Sequence, residues 1–412
     1  MFANALQSTQ QRVEVFFLCM LLLVLPLAEA PKNIAWMLFV IAWLWGMRSE
    51  PDRLFRWDFW DNVFACFILA SAFSAFFASV SDAQWGGFLD VLRYTLVGWM
   101  LARSHYKIRT YVLLLQCVVA GTIIALIHGY WNFVFTGKRG VLQLHSVGHV
   151  NHSAIYLALS FAVLMAFVFW YVRQPDVVKR FGFWGFMTCC LFYGVSLLEM
   201  ASRGAILAFA VFWVLVVIAW FRVSFKQAAM ASVLSVIIMA GFIIAIPHAT
   251  AKFLQMGVAG SEGFSHRDRL ANVAYEGWRE NPVAGVGMGN FRHITLELIA
   301  LRKEQRGEVF DPERYLGSNH AHSLYMNTLA EKGILGFSAL LFLIIVWAGS
   351  LWKKRNLLYL SDQRLIVWLS AVGGLVVTFV SGLFNTSLHT EHGILSMVLF
   401  GVWVGLFREA NQ

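Results

Sequence analysis

Charge is scarce in this sequence. Of 412 residues only 13% are Asp, Glu, Lys or Arg, while 59% are hydrophobic and the mean hydropathy is +0.65. A water-soluble domain carries roughly a quarter of its residues charged, so a single soluble globule is excluded. Cysteine is sparse as well. Cys19, Cys66, Cys117, Cys189 and Cys190 all fall inside apolar runs, which gives neither a disulfide framework nor the spacing of a metal site. The sequence has no internal repeat and no inverted pair of interrupted hydrophobic segments, which argues against a secondary transporter. Ionisable residues within the apolar runs are few; Arg93 is the clearest, and Glu199 stands near the end of a run. No chain of intramembrane carboxylates is present to relay protons.

What the chain does have is apolar runs of about twenty residues, the length that crosses a bilayer as a helix. About twelve can be marked, over 13–30, 33–47, 60–79, 88–102, 110–135, 152–172, 181–201, 204–221, 228–247, 323–351, 364–385 and 393–408. The expected fold is an all-α polytopic membrane protein with one large, mainly helical loop. It divides into a bundle over 1–247, a loop domain over 248–321 and the rest of the bundle over 322–412. The first run ends on Ala28-Glu29-Ala30 like a signal peptide, but a similar run follows at once, so it reads as a retained helix.

The net charge of +9 would suggest nucleic acid in a soluble protein. Here it is explained by basic loops facing an anionic leaflet, and no nucleic-acid partner is expected. With the N-terminus inside, seventeen Lys and Arg fall in cytoplasmic segments, against Lys32, Lys138, Arg139 and Arg203 in the opposite short loops. The positive-inside rule then predicts both termini in the cytoplasm and the long polar segment over 250–319 outside. In a Gram-negative source that side is the periplasm and the membrane is the inner one. Basic residues on that side point to an anionic ligand. Ten of the twelve histidines fall there too: His145, His149, His152, His248, His266, His293, His320, His322, His389 and His392. Imidazole is tolerated at interfaces, but such a bias favours proton chemistry or ligand binding on one face.

Four groups of residues are candidates for chemistry. Ser202-Arg203-Gly204 makes a hairpin between two runs. Arg203 either snorkels to headgroups or holds a lipid phosphate on its forked donors, with Gly204 letting the backbone approach. Arg267 and Arg269 open a helical stretch over 267–281 that Pro282 stops, followed by Gly285, Gly287 and Gly289 in a tight loop. The arginines are a solvated helix face or a pyrophosphate clamp, and the loop has the look of an anion nest without the elements of a nucleotide site. His320 and His322 precede Tyr325 and Asn327 at the start of a run. A helix N-terminus keeps His322 neutral, fit to be a base or simply a cap. His145, His149 and His152 would share a face if helical, which makes zinc conceivable, but Gly148 and the lack of a carboxylate argue against a metal. Lys138, Arg139 and Asn151 are candidates to line a diphosphate or acceptor site, with Arg269, His320 and Tyr325 as further substrate contacts. His389 and His392 bracket Glu391 in what reads as a plain polar loop.

The order of these motifs is that of a known family. SRGA at a hairpin is followed by an arginine, an aromatic-containing helix, NP and G-x-G-x-G-N-F, and then HSLYMNTLAEKGILG opens the next run. The chain resembles the O-antigen ligase and polymerase superfamily of bacterial envelopes over 200–205 and 265–336. The resemblance implies transfer of a glycan from undecaprenyl diphosphate to an acceptor hydroxyl, that of the lipid A-core oligosaccharide for a ligase, in contact with membrane lipids. Arg203 matches the arginine of the family's SRG. Arg267 matches its loop arginine by the fifteen residues separating it from Pro282, although Arg269-Leu270 matches the local Arg-Leu pair, so both stay in view. His322 matches the histidine that opens the following span. The family commonly has asparagine next; Ser323 stands here.

A lipid diphosphate already leaves well, so no metal and no cofactor is expected. The site must neutralise the departing charge, the task of the arginines, and supply a base, the task of His322. Direct attack inverts the anomeric centre, and no carboxylate pair suits a double displacement. An O-antigen polymerase and a protein O-oligosaccharyltransferase stay open within the family. Outside it, a transporter of lipid-linked glycans would show polar groups along the runs and not on one face only.

Overall fold

A computed structural model describes residues 8–48, 57–77, 81, 84–137, 139–174, 181–226, 228–229, 232–233, 260–360 and 362–409. Thirteen α-helices and no strand are found among them: α1 Thr9–Val24, α2 Glu29–Gly46, α3 Phe59–Phe76, α4 Gln84–Arg103, α5 Ile108–Tyr130, α6 Val150–Val172, α7 Phe181–Glu199, α8 Arg203–Phe221, α9 Gly260–Glu280, α10 Leu296–Gln305, α11 Leu324–Lys353, α12 Arg364–Ser381 and α13 Thr390–Glu409. Eleven of the twelve expected spans coincide with helices. The twelfth, over 228–247, lies almost wholly outside the described residues. Seven helices among the described residues are long and apolar enough to cross a membrane: α3, α5 with the π turn that follows it, α6, α8, α11, α12 and α13. The described residues thus form an all-helical fold, with the several apolar helices of a multi-pass membrane protein. α4, which carries Asp90, Arg93 and Arg103, is not among them.

α6 is the central helix. All of residues 153–169 are buried, as the unbroken apolar composition requires, since a helix without a polar face has none to turn to solvent. It packs on α7, α8 and α12, while α13 lies along α4 and α11 along α3. At one end of the bundle a buried ionic knot ties α3, α4 and α13. Asp61 accepts from Arg103 Nε at 2.7 Å, from Trp99 Nε1 at 2.8 Å and from Arg408 Nη2 at 3.0 Å. Asp58, which caps α3, accepts from Arg408 Nε at 2.8 Å. Arg103 and Arg408 are therefore structural cations as well as members of the basic end. Asp61→Ala would leave both guanidinium groups buried without their shared carboxylate, a loss of about 3–5 kcal/mol. A thermal melt in detergent should fall by several degrees; an unmoved melting point would show that the knot is solvated.

The segment over 260–321 folds around a small core of its own. Val273, Ala274, Val286, Phe291, Ile294, Ile299, Tyr315 and Ala321 pack together with Ala330 of α11. Its basic residues are mostly used internally. Glu276 pairs with Arg306 at 2.6 Å, Glu280 with Arg306 at 3.0 Å and Arg302 at 3.4 Å, and Glu308 with Arg279 at 2.7 Å and Lys303 at 3.0 Å. These pairs hold α10 and the turn after it against α9.

α11 is broken at Gly333, whose φ of 61° and ψ of −163° are closed to residues with a Cβ. A helix break orphans backbone groups, which must find partners. The glycine-rich loop supplies them. Val286 and Gly287 N–H donate to the carbonyls of Ala330 and Glu331, both at 2.9 Å, and Ile334 N–H donates to Pro282 O at 2.8 Å. Gly285, Gly287 and Gly289 all have positive φ, as the tight loop requires. The anion in the nest is the chain's own: Glu331 Oε1 accepts from Gly289 N at 3.0 Å and Phe291 N at 3.3 Å. The two motifs thus dock on each other, and the nest is filled from within.

Candidate active site

Three helices begin at one place, and each brings a pair of histidines. His149 and His152 come with α6, His320 and His322 with α11, His389 and His392 with α13. His152 is the hub. Its ring centroid lies 4.9 Å from His392, 5.8 Å from His149, 6.0 Å from His389 and 6.3 Å from His320, and His320 is 4.4 Å from His322. Six imidazoles this close cannot all be charged. Burial and the neighbouring histidines push His320 down to about 4. His322 is lowered by burial, then by His149 and by Arg267; His389 is lowered by burial. The lowering favours the neutral, proton-accepting form of His320, His322 and His389.

The arginines stand beside this cluster. Arg203 opens α8 and Arg267 lies on α9, near enough that the charge on Arg203, after burial, lowers the pKa of Arg267. Among the described residues neither guanidinium is paired with a carboxylate. Phe384, in the turn between α12 and α13, separates the two segments. The Arg267 guanidinium sits over its ring at 4.9 Å, and a Cβ on Gly204 would meet its Cβ at 3.0 Å. Stacking holds Arg267 by its face and leaves its edge donors free for an oxyanion. Arg203, Arg267 and His322 thus come together from three segments distant in sequence. Phe384 carries no sequence signal.

His322 has a φ of 49°, the left-handed region that non-glycine residues enter rarely. Such strain persists only where neighbours fix it. Ser323 follows as the N-cap of α11, so serine keeps the capping role that the family's asparagine can also play. Asn327 fixes the other side. Its Oδ1 accepts from Ala321 N at 3.1 Å and its Nδ2 donates to Glu331 Oε2 at 2.9 Å. A continuous chain of bonds therefore runs from the glycine loop through Glu331 and Asn327 to the peptide before His322. Asn327→Ala breaks it, and any activity that depends on His322 should slow roughly tenfold in the variant, the worth of one buried hydrogen bond. An unchanged rate would mean that His322 is held by its own backbone alone.

The other candidates sort unevenly. Arg269 does not join Arg267: its Nε donates to Tyr315 O at 3.0 Å. Tyr325 donates its hydroxyl proton to Phe379 O at 2.9 Å and so ties α11 to α12. Arg139 turns to Gln143 at 2.9 Å and to His145 at 3.3 Å. Asn151 sits in the first turn of α6, where its N–H donates to His149 Nδ1 at 3.2 Å. Lys138 and His248 lie outside the described residues. His145 does not share a helix face with His149 and His152. Gly148, with φ of 77°, ends the turn before α6 begins, and His145 pairs instead with His128 at 5.3 Å. Among the described residues no group of three His, Cys, Asp or Glu side chains is arranged to hold a metal ion.

The plain polar loop expected at His389–His392 needs correction. Glu391 and His392 are buried in the first turn of α13. Glu391 forms an ion pair with Lys32 of α2, which also reaches Glu29 at 2.6 Å and Ser146 at 3.1 Å. Lys32 and Glu391 are far apart in sequence, and nothing in either local pattern marks the pairing.

No curated protein matches this chain. Residues 188–341, which run from within α7 through Arg203, Arg267, the glycine loop and His322 to the middle of α11, match the family model described as O-antigen ligase.

Proposed function

We propose that the protein transfers O-antigen glycan from undecaprenyl diphosphate to a hydroxyl of the lipid A-core oligosaccharide at the periplasmic face of the inner membrane, with both termini in the cytoplasm. The observation that carries this reading is the convergence of two arginines, without carboxylate partners among the described residues, and an imidazole whose pKa is lowered, at the end where α6, α11 and α13 begin. Arg203 and Arg267 bind the diphosphate and take up the charge that grows on it as the bond to the sugar breaks. His322 accepts the proton of the acceptor hydroxyl, whose oxygen attacks the anomeric carbon from the side opposite the diphosphate. The anomeric centre inverts, the undecaprenyl diphosphate leaves, and the proton stays on His322 until water removes it. The arginines supply the charge neutralisation that a metal would otherwise provide.

Reconstitution with purified lipid-linked glycan and lipid A-core, in chelator and without nucleotide, tests this. Product on the lipid A-core supports a ligase. Longer chains still on the polyprenyl carrier would support a polymerase instead, and loss of product in chelator would count against arginine-only neutralisation.

The pH dependence has a definite sign. His322 is lowered below the ordinary histidine value, so its basic form dominates at neutral pH. The rate should be level near pH 7 and fall as pH drops through a midpoint below 6.5. A profile still rising at pH 8 would exclude His322 as the base. Stability follows the same direction. Because the folded pKa of His320 is about 4 against 6.5 unfolded, its contribution is full above 6.5 and is lost as pH falls toward 4.

A further inference from the structure

Beside the arginine–histidine site, α9 forms one wall of an open cleft of about 950 Å³. Asp268, Arg269, Ala271 and Asn272 line it from the helix, and Glu313 and Arg314 from the short turn over Pro312–Arg314. Its place on the helix follows from helical spacing. Arg267 and Ala271 are four residues apart and share a row, while Asp268 and Asn272 form the next row. Ala271 therefore joins the row of Arg267 to the cleft.

The lining has three properties. Its two carboxylates are balanced by two guanidinium groups, so it has no preference for an anion. Ala271 is its one apolar residue, so it has no apolar wall for a lipid tail. Its walls are pinned: Arg269 Nε donates to Tyr315 O at 3.0 Å, and Asn272 Nδ2 donates to Arg314 O at 2.9 Å. A rigid, charge-balanced surface of carboxylate, guanidinium and amide groups suits a neutral ligand rich in hydroxyls, each of which both donates and accepts. The volume lies near the top of the roughly 300–1,000 Å³ range of sites that hold drug-sized molecules, enough for several linked sugars.

We infer that this cleft binds the sugars of the donor glycan beyond the one being transferred, with Arg267 holding the diphosphate and Arg269 belonging to the glycan site. The inference rests on the transfer reading for what those sugars are attached to. It assigns different partners to two arginines that the sequence could not separate.

The test compares undecaprenyl diphosphate donors carrying one repeat unit or a long chain. In Asp268→Asn and Arg314→Ala, kcat/KM for the long donor relative to the short one should fall about tenfold, the worth of one lost hydrogen bond. A ratio within twofold of wild type in both variants overturns the inference. A second measurement needs no variant. Glycan released from the same donor by mild acid, added to the wild-type protein, should slow amide hydrogen exchange over 268–272 and 312–315. Absence of protection at millimolar glycan likewise overturns the inference. If the wild type transfers neither donor, the transfer reading fails, while the exchange measurement still decides whether the cleft holds sugar.

Discussion

Alanine at Arg203 or Arg267 is expected to cut glycan transfer by about a hundred- to a thousandfold, the range seen when one charge-stabilising donor is removed from a site. His322→Ala should reach a similar loss, since a positioned general base contributes about 10²–10⁴. Neither guanidinium is tied to a carboxylate among the described residues, so removing either leaves no buried partner behind. Insertion and thermal melting should therefore stay near wild type, which separates loss of chemistry from loss of fold. Lysine should rescue poorly. An ammonium has no planar face to stack on Phe384 and no forked edge for two phosphate oxygens. Groups that act on one departing diphosphate act as a unit, so the double variant should be little worse than either single one. Full transfer by Arg203→Ala, Arg267→Ala or His322→Ala would remove that residue from the mechanism.

Gly333→Ala should damage the fold at the break in α11. A Cβ there would lie 2.3 Å from Val283 O and 2.4 Å from Val283 C, both backbone atoms that cannot swing aside. The φ of 61° adds strain in any case. Loss of about 3 kcal/mol or more is expected. The damage should be local at first. Residues 282–287 would leave the break in α11, Glu331 would lose its amide donors, and His322 would lose the chain of bonds through Asn327. Limited proteolysis should then cut between Pro282 and Phe291, and transfer should fail with Arg203 and Arg267 intact. Gly307→Ala is the control. Its φ is also positive, at 70°, but a Cβ there meets nothing within 4 Å, so about 1 kcal/mol is expected. Equal effects at the two glycines would show that φ, and not the docking of the loop, sets the cost.

Phe384 and Lys32 show why part of the site was hidden. Phe384 stands in a short turn between Leu383 and Asn385, and only the approach of α8 and α9 makes it the stacking partner of Arg267. Lys32 read as one basic residue of a short loop, yet it is buried against Glu391 of the last helix. Glu331 gave a different kind of surprise. The glycine loop was recognisable as a nest for an anion, and its sequence could not say that the anion was a carboxylate from another helix.

By itself the sequence determined the helices, because apolar runs of bilayer length leave the backbone no partner but itself. It led to the expectation that ten histidines and several arginines lie on one face, since charge and hydropathy bias which loops face which side. It also pointed to Arg203, Arg267 and His322 through the family's ordered motifs. What only the tertiary structure decided is which of those side chains meet. Six histidines could have met in many combinations, and the arginines of the loop were alike until Glu276, Glu280 and Glu308 claimed four of the cations beside them. Side-chain pairing across helices depends on how the helices pack and where a break such as Gly333 lets a loop dock. Those are contacts between residues tens to hundreds of positions apart, and no local pattern in the chain encodes them.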